Sequence, residues 1–306
     1  MMDNQYLLHS AEYQLLQQGF AAWLGALGYA GSTVMTLPRH VQEFLHYQEQ
    51  GGRRSLAQLQ APDASGFVEQ LQTRIGPRTK KYYSSGHINK YIQALKLLNQ
   101  YILQTGRTGI GFTLAFLEDR RDRPDWLTRP EIRRLYEAIS DDVLGTRDRA
   151  MLAVYYGCGL RLSEGAALTL SDVIADRKLL YVRKGKGYKE RYVPMAGRSY
   201  KAIQLYIEEG RPQLLQGPSD RLFIGAGSGK PLDKQSLYVR IKRLVSIAGL
   251  TKRVGTHTLR HSIATHLLQS GMKLERIKDF LGHTVLDSTQ IYTHLINEPS
   301  KITDEL

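Results

Sequence analysis

The first hundred residues carry apolar side chains at helical spacing. This pattern predicts helices at 10–28 and 37–46, a helical turn and then a helix within 55–73, and a longer helix at 85–104. In the first helix we expect the buried stripe to consist of Leu15, Phe20, Trp23, Leu24 and Leu27. The pattern therefore predicts an all-α domain over residues 1–108.

The pattern changes after residue 108. A glycine-rich piece is followed by a charged piece with a proline, and we place a linker at 109–125. Thr128 with Glu131 three residues later predicts a capping box that starts the next helix. Residues 171–195 are typical of two strands joined by the hairpin loop K-G-K-G-Y-K. Further elements are expected as helices at 146–156, 199–215 and 233–249 and as a short strand at 222–224. Residues 126–306 are thus predicted to form a second domain, mainly α with a small antiparallel β-sheet (α+β).

Charge is the compositional feature that bears on function. The chain of 306 residues has a formal net charge of +13, of which residues 1–120 contribute +3 and residues 121–306 contribute +10. This excess indicates a polyanionic partner. Cys158 is the only cysteine, which excludes an intrachain disulfide. There is no apolar run of membrane-spanning length and no basic, signal-like start, so we expect a cytoplasmic protein without a membrane partner.

Three polar residues near the C-terminus share one face of a predicted helix. His257, Arg260 and His261 stand at i, i+3 and i+4, a cluster suited to a phosphate. Two histidines at this spacing also occur in zinc proteases, but Thr258 replaces the required glutamate and Arg260 places a cation between them. A structural interpretation, with His257 as a helix cap and His261 in the core, also fits. No metal is expected. The glycine-rich stretch 225–231 lacks two residues of a nucleotide-binding loop, so we expect no cofactor.

Five motifs in order give the chain a family resemblance. They are G-C-G-L-R-L-S-E at 157–164, G-K-G-Y-K-E-R at 185–191, H-T-L-R-H at 257–261, L-G-H at 281–283 and T-Q-I-Y-T-H at 289–294. Together they resemble the tyrosine recombinase (phage integrase) family, and its Xer-like members in particular. The resemblance implies a helical core-binding domain and a catalytic domain that form a clamp on DNA. It also implies site-specific cutting and rejoining of strands through a 3′-phosphotyrosine, without metal or ATP.

The resemblance also assigns roles to individual residues. Tyr292 is the implied nucleophile, and Arg161 and Arg260 the implied phosphate ligands. His257 accepts the tyrosine proton or holds a phosphate oxygen, Lys186 protonates the leaving 5′ oxygen, and His283 donates to the phosphate. Two supporting residues are expected as well. Glu164 orients Arg161 or caps its turn, and His261, adjacent to Arg260, has a supporting role.

The expected partner is double-stranded DNA, bound by a homo-tetramer or by related recombinase protomers on two DNA sites. Candidate DNA contacts are the basic residues Arg78, Lys80, Lys81, Lys90, Arg183, Lys184, Lys189, Arg240 and Arg243. Each of these side chains fits a merely solvated surface equally well. Two other functions stay open, a topoisomerase-like nicking and resealing enzyme and a DNA-binding regulator that cuts nothing. Integration, inversion and chromosome-dimer resolution are all compatible with the motifs.

Overall fold

The computed structural model describes residues 6–77, 79–106, 111–118, 125–183 and 190–282. The chain divides into two compact units, Met1–Asp122 and Arg123–Leu306. The division falls inside the stretch 109–125, where the sequence predicts a linker. The extent of that linker stays a prediction.

The N-terminal unit is built from helices. They are α1 (Ala11–Ala26), α2 (Gly31–Gln50), α3 (Ala61–Gln72) and α4 (Ser85–Gln104). Ser10 and Ser84 cap α1 and α4, because each hydroxyl accepts a 3.3 Å hydrogen bond from the backbone N–H three residues on. Helix α2 packs against α1 and α4, and α3 packs against both α2 and α4. The all-α prediction for this part of the chain is confirmed.

The buried face of α1 differs from the predicted stripe. Leu15 and Leu27 are 68% and 54% exposed, while Tyr13 and Leu16 are buried instead. Tyr13, Leu16, Phe20 and Leu24 follow one another at intervals of three or four residues and so lie on one side of the helix. The Tyr13 hydroxyl donates to the Ser55 carbonyl at 3.2 Å. Leu16 therefore takes the core position that the sequence pattern gave to Leu15, and Tyr13 extends the buried face by one further turn.

The N-terminal core continues beyond residue 108. Phe112 and Leu114 are buried with the side chains of the helices. The Asn89 side chain holds the backbone of Leu117 from both sides, at 2.9 Å to its carbonyl and 2.8 Å from its N–H. Phe112, Leu114 and Leu117 thus make contacts with the N-terminal core.

The C-terminal unit combines helices with one small sheet. Its helices are α5 (Arg129–Glu137), α6 (Val143–Leu152), α7 (Leu162–Ala167), α8 (Gly197–Leu205), α9 (Arg211–Leu214), α10 (Lys234–Ile247), α11 (Thr256–Gln269) and α12 (Leu274–Leu281). Its strands are β1 (Val173–Ile174), β2 (Leu179–Val182) and β3 (Arg191–Pro194), in the antiparallel order β1-β2-β3. The predicted capping box of α5 is present, with Glu131 Oε2 2.7 Å from the Thr128 N–H. The expected class, mainly α with a small antiparallel sheet, is confirmed.

One predicted strand is wrong. Residues 222–224 form no strand: Ile224 makes only an isolated bridge to Pro231, and the preceding Arg221 makes one to Thr169. Leu222, Phe223 and Ile224 are all buried. These three residues are apolar because they are buried in the core. A short apolar run looks the same in the sequence whether it forms a strand or a buried irregular segment.

The core of this unit surrounds the end of α6. The helix continues as one wide π turn, Ala153–Gly157, and the run from Ala150 to Tyr155 is fully buried. Cys158 is buried in the same core, in accord with the prediction that it serves packing. Helix α11 packs against this turn, and α12 packs against α11 and β3. Among the described helices, none is both long and apolar enough to cross a bilayer.

Candidate active site

Helix α11 carries the predicted histidine and arginine cluster. It begins at Thr256, so His257, Arg260 and His261 lie within its first two turns, as the spacing predicts. Arg260 is buried, with 5% of its surface exposed. Its Nη1 donates to the Gly159 carbonyl at 2.6 Å and its Nη2 to the Leu281 carbonyl at 2.7 Å. A buried, charged side chain is therefore fixed between the loop that precedes α7 and the end of α12.

Arg161 is the residue that precedes α7, and Glu164 holds it in two ways. The Glu164 Oε2 accepts from the Arg161 backbone N–H at 2.9 Å, and Oε1 accepts from Arg161 Nη1 at 2.8 Å. The first bond caps the helix and the second orients the guanidinium. Sequence reasoning offered these two roles for Glu164 as alternatives, and the geometry contains both.

Three arginines bind three consecutive carbonyls at the end of α12. Nε of Arg191 lies 3.4 Å from the Phe280 carbonyl, and Arg260 Nη2 binds the carbonyl of Leu281. Nη2 of Arg161 lies 3.1 Å from the Gly282 carbonyl. The last carbonyls of a helix have no partner within the helix and carry its negative dipole end, so cations are favoured there. The three guanidinium groups fix the backbone that leads directly to residue 283.

Gly282 makes this arrangement possible. Its φ of +66° places it in the left-handed region, which favours glycine at the end of a helix. A Cβ at this position would lie 2.9 Å from Cδ, Nε and Nη1 of Arg191. The glycine is therefore required both by the turn and by the close approach of the Arg191 side chain.

Glu164 stays ionised in spite of its burial. Burial by itself raises the pKa of this carboxyl, but the hydrogen bonds and positive charges of Arg191 and Arg161 outweigh it and bring the pKa to about 2. The three arginines and one carboxylate leave a net charge of +2 at the site. The arrangement is suited to binding an anion with forked, charge-assisted hydrogen bonds.

The pKa values of both histidines are lowered. The His257 residue is exposed, but the surrounding protein partly desolvates its ring and so lowers its pKa. The positive charges of Arg260 and Arg161 lower this pKa further. For His261, burial lowers the pKa first, followed by the charges of His257 and Arg260. The lowered pKa values favour the neutral form of both imidazoles, and a neutral imidazole can accept a proton.

Several predicted residues cannot be placed beside this site. Lys186, His283 and Tyr292 lie outside the described residues, as do Arg78, Lys184 and Lys189. Within the described parts of the chain, no group of three or more His, Cys, Asp or Glu side chains is arranged to hold a metal ion.

The remaining candidate DNA contacts differ in their surroundings. Lys80, Lys81, Lys90 and Arg243 are exposed, the first two in a turn where Lys80 adopts a φ of +53°. Arg74 precedes that turn, accepts a 3.1 Å hydrogen bond from the Tyr83 N–H on its far side and is paired with the buried carboxylate of Glu43.

Two other candidates are bound within the fold. Arg183 donates to Asp172 Oδ1 at 2.5 Å. Arg240 donates through Nε to Asp148 Oδ2 at 2.8 Å and through Nη2 to the same carboxylate. Both carboxylates are buried, but the Arg240 side chain is 19% exposed and that of Arg183 is 52% exposed, so the pair of Arg240 with Asp148 is the more enclosed ion pair. A DNA contact by either arginine stays a prediction.

Sequence reasoning missed Arg191 as a site residue. It is the last residue of the motif G-K-G-Y-K-E-R, where the sequence assigned a catalytic role to Lys186 and a DNA contact to Lys189. A signal was present, because Arg191 begins a strand whose next inward residue, Val193, is buried. An arginine on the inward face of a strand requires a partner in the interior.

Comparison with known proteins relates the chain to a family. The model of the phage integrase family matches residues 125–298. Tyrosine recombinase XerD of Corynebacterium glutamicum is 31% identical over 274 residues, 88% of this chain and 89% of that protein. Tyrosine recombinase XerD of Pseudomonas putida is 37% identical over 222 residues, 71% and 74% of the two chains.

A solved structure shares the fold. The XerH site-specific recombinase bound to palindromic difH substrate, in a post-cleavage complex, superposes with a TM-score of 0.72 at 21% identity. The match covers 96% of this chain and 95% of that one. The family model and the two XerD relatives show that the chain belongs to the phage integrase family as a Xer-like tyrosine recombinase.

Proposed function

We propose that the chain cuts and rejoins DNA strands at specific sites through a covalent 3′-phosphotyrosine. The observation that carries this proposal is the convergence of Arg161 and Arg260 on adjacent carbonyls of Leu281 and Gly282, with His257 on the same helix as Arg260. Two fixed guanidinium groups with a neutral imidazole beside them match the needs of a phosphoryl transfer whose nucleophile is a tyrosine hydroxyl.

In the proposed reaction, the Tyr292 hydroxyl oxygen forms a bond to the scissile phosphorus while the bond from phosphorus to the 5′ oxygen breaks. His257 takes the tyrosine proton, and Lys186 gives a proton to the leaving 5′ oxygen. A tyrosine with an ordinary pKa of about 10 needs such a base near neutral pH. The phosphotyrosine keeps the energy of the phosphodiester, so a second 5′ hydroxyl reseals the strand without ATP.

The arginines act on the charge that develops in this reaction. Negative charge grows on the non-bridging oxygens at the five-coordinate stage, and Arg161, Arg260 and His283 donate to these oxygens. Donors fixed in advance and shielded from water stabilise such charge strongly, and removal of one costs about 10²–10³-fold in rate. Glu164 and His261 are proposed to support Arg161 and Arg260.

The proposed partner is double-stranded DNA. Contacts with phosphates are supported by the net charge of +13, most of which lies in residues 121–306. They are also supported by four exposed basic residues, Lys80, Lys81, Lys90 and Arg243. We propose further that the protein works in the cytoplasm and that protomers assemble as a tetramer on two DNA sites. A requirement for two sites distinguishes this assembly from a topoisomerase-like enzyme, which needs one.

The decisive experiment traps the covalent intermediate. Wild-type, Tyr292→Phe and Tyr192→Phe proteins are incubated with supercoiled plasmid that carries the flanking DNA of the gene, and the reaction is quenched with detergent. Tyr192 is an exposed tyrosine of the same unit, 58% exposed, and serves as the matched control. We expect DNA–protein adducts with the wild type and Tyr192→Phe only. Adducts with Tyr292→Phe would show a different nucleophile, and no adduct despite DNA binding would favour a non-cutting regulator.

A further inference from the structure

The carboxylate of Glu164 is shared by two arginines. Its side chain is 1% exposed and accepts four hydrogen bonds. Two come from Arg161, through its backbone N–H and Nη1. The other two come from Arg191, whose Nη1 lies 3.1 Å from Oε1 and whose Nη2 lies 2.9 Å from Oε2. Both oxygens thus have one bond from each arginine.

The two arginines reach Glu164 from different parts of the fold. Arg161 precedes the helix that contains Glu164, whereas Arg191 begins β3 and pairs with Val182 in the sheet. The Arg191 side chain is only 11% exposed, so it is committed to the interior. It also contacts the end of α12, through the Phe280 carbonyl and the surface of Gly282.

This arrangement has a consequence for the charge of Arg161. If Glu164 were paired with Arg161 alone, the carboxylate would cancel most of the charge that Arg161 offers to a phosphate. Charges interact strongly in a buried site, because little water screens them. The second cation, Arg191, balances Glu164. The carboxylate then orients Arg161 while the positive charge of Arg161 is preserved.

We propose that Arg191 is a positioning residue for strand cleavage. It neutralises Glu164, so that Glu164 can hold the Arg161 guanidinium in place without weakening its attraction for the scissile phosphate. The proposal rests on the proposed function, since it requires that Arg161 bind that phosphate. It gives a chemical role to a residue that does not itself touch the reacting atoms.

A purely structural ion pair is the competing explanation. In that case the loss of Arg191 lowers the fraction of folded protein and leaves the chemistry of each folded molecule unchanged. Single-turnover adduct formation at saturating DNA separates the two cases. Its amplitude reports the fraction of active protein, and its rate constant reports the charge at the site.

The experiment uses the full chain and the DNA site mapped by the trapping assay. The variants are Arg191→Gln, Arg191→Lys, Glu164→Gln and the double variant Arg191→Gln/Glu164→Gln. Arg177→Met is the matched control, because Arg177 lies in the turn between β1 and β2 and its side chain is 76% exposed. This control should react with the wild-type rate constant.

We expect Arg191→Gln to lower the rate constant by about 10- to 100-fold, since the uncompensated carboxylate now offsets Arg161. The double variant should react faster than Arg191→Gln, because the carboxylate that offsets Arg161 is gone. Arg191→Lys, which keeps the charge, should stay within about tenfold of the wild type.

The outcomes that overturn the proposal are distinct. If Arg191→Gln reacts with the wild-type rate constant and a reduced amplitude, the ion pair is only structural. A double variant with a smaller rate constant than Arg191→Gln leads to the same conclusion. If Arg191→Gln does not fold, Arg191→Lys decides, and a loss of about 100-fold or more contradicts a role for charge. A wild-type protein that binds DNA and forms no adduct overturns the proposed function itself, and this inference with it.

Discussion

Nη2 of Arg260 donates a 2.7 Å hydrogen bond to the carbonyl of Leu281, the last residue of α12. Nη1 of the same guanidinium donates to the carbonyl of Gly159, 101 positions earlier in the chain. One buried side chain thus joins α11, the end of α12 and the loop that precedes α7. Arg260 therefore holds the candidate site together in addition to the phosphate contact that we propose.

Replacement of Arg260 by lysine tests both roles. Lysine keeps the charge but cannot span two carbonyls with a planar fork. We expect the free energy of unfolding to fall by about 1–3 kcal/mol, the usual effect of leaving a buried acceptor without its donor. We also expect the rate constant of adduct formation to fall by about 100-fold or more. Urea unfolding and the single-turnover assay measure the two effects.

Arg211 provides a control for the effect on stability. It is likewise buried, at 6% exposed, and donates to the carbonyls of Ser219 and Arg221. Arg211→Lys should reduce the stability to a similar extent and leave the rate constant of adduct formation unchanged. An equal fall of the rate constant in both variants would show that cleavage responds to general loss of stability and that Arg260 has no special role.

Gly282→Ala should impair cleavage beyond its effect on stability. The left-handed φ of +66° costs an L-residue about 1–2 kcal/mol, and the new Cβ meets Arg191 at 2.9 Å. Gly271→Ala is the matched control, because Gly271 has a φ of +82° and nothing within 4 Å of a Cβ. Both variants should lose stability in urea unfolding, and only Gly282→Ala should lose rate in adduct formation. A full rate constant for Gly282→Ala would show that the position of Arg191 does not matter.

Local sequence patterns predicted the elements that depend on neighbouring residues. Helix α4 matches its predicted bounds, and the strands β2 and β3 lie where alternation and a glycine-containing loop indicated a hairpin. The stripe of α1 was predicted with a shift, because Leu15 and Leu16 both fit helical spacing and only the tertiary contacts select Leu16. Periodicity identifies a helix, but it does not fix which of two adjacent leucines faces the core.

Contacts between distant residues could not be predicted from the sequence. Arg191 and Glu164 are 27 positions apart, and Arg240 and Asp148 are 92 apart. Arg161, His257 and Arg260 were predicted as site residues because the motifs resemble a family in which these positions have known roles. A local sequence pattern does not predict which carboxylate forms an ion pair with a given arginine. The partner depends on how β3, α10 and α12 pack against the rest of the unit.

Arg240 and Arg243 should differ in their contribution to DNA binding. Both belong to α10, but Arg240 is bound to the buried Asp148 while Arg243 is exposed. Arg243→Met should reduce the slope of log affinity against log salt by about 1, as expected for the loss of one phosphate contact. Arg240→Met should leave that slope unchanged and lower the free energy of unfolding by about 1–3 kcal/mol, because the buried Asp148 loses its hydrogen bonds from Arg240 and keeps only the 3.5 Å contact with Arg147. A reduced slope for Arg240→Met would show that Arg240 contacts phosphate as well.

The proposed base, His257, gives cleavage a pH dependence of defined sign. Its pKa is lowered by partial desolvation and by the charges of Arg260 and Arg161, so it lies below the ordinary histidine value of about 6.5. The imidazole must be neutral to accept the Tyr292 proton. The rate constant of adduct formation should therefore rise with pH through a midpoint below about pH 6.5 and level off above that midpoint. Single-turnover rates from pH 5 to 8 measure this profile.

Variants of two histidines show which group causes the fall of the rate constant at low pH, here called the acid limb. His257→Gln should be slower at neutral pH and should lose the acid limb, because glutamine does not titrate. His266→Gln should keep it, since His266 lies deeper in α11, with its Nδ1 2.9 Å from the Tyr156 hydroxyl and its pKa lowered to about 4 by burial. Protonation of either histidine favours the unfolded chain, because each pKa is lower in the folded state, so stability should decline as the pH falls below about 6.5. Rates are therefore compared only where urea unfolding shows a folded protein. An acid limb that persists in His257→Gln would assign the proton transfer to another group.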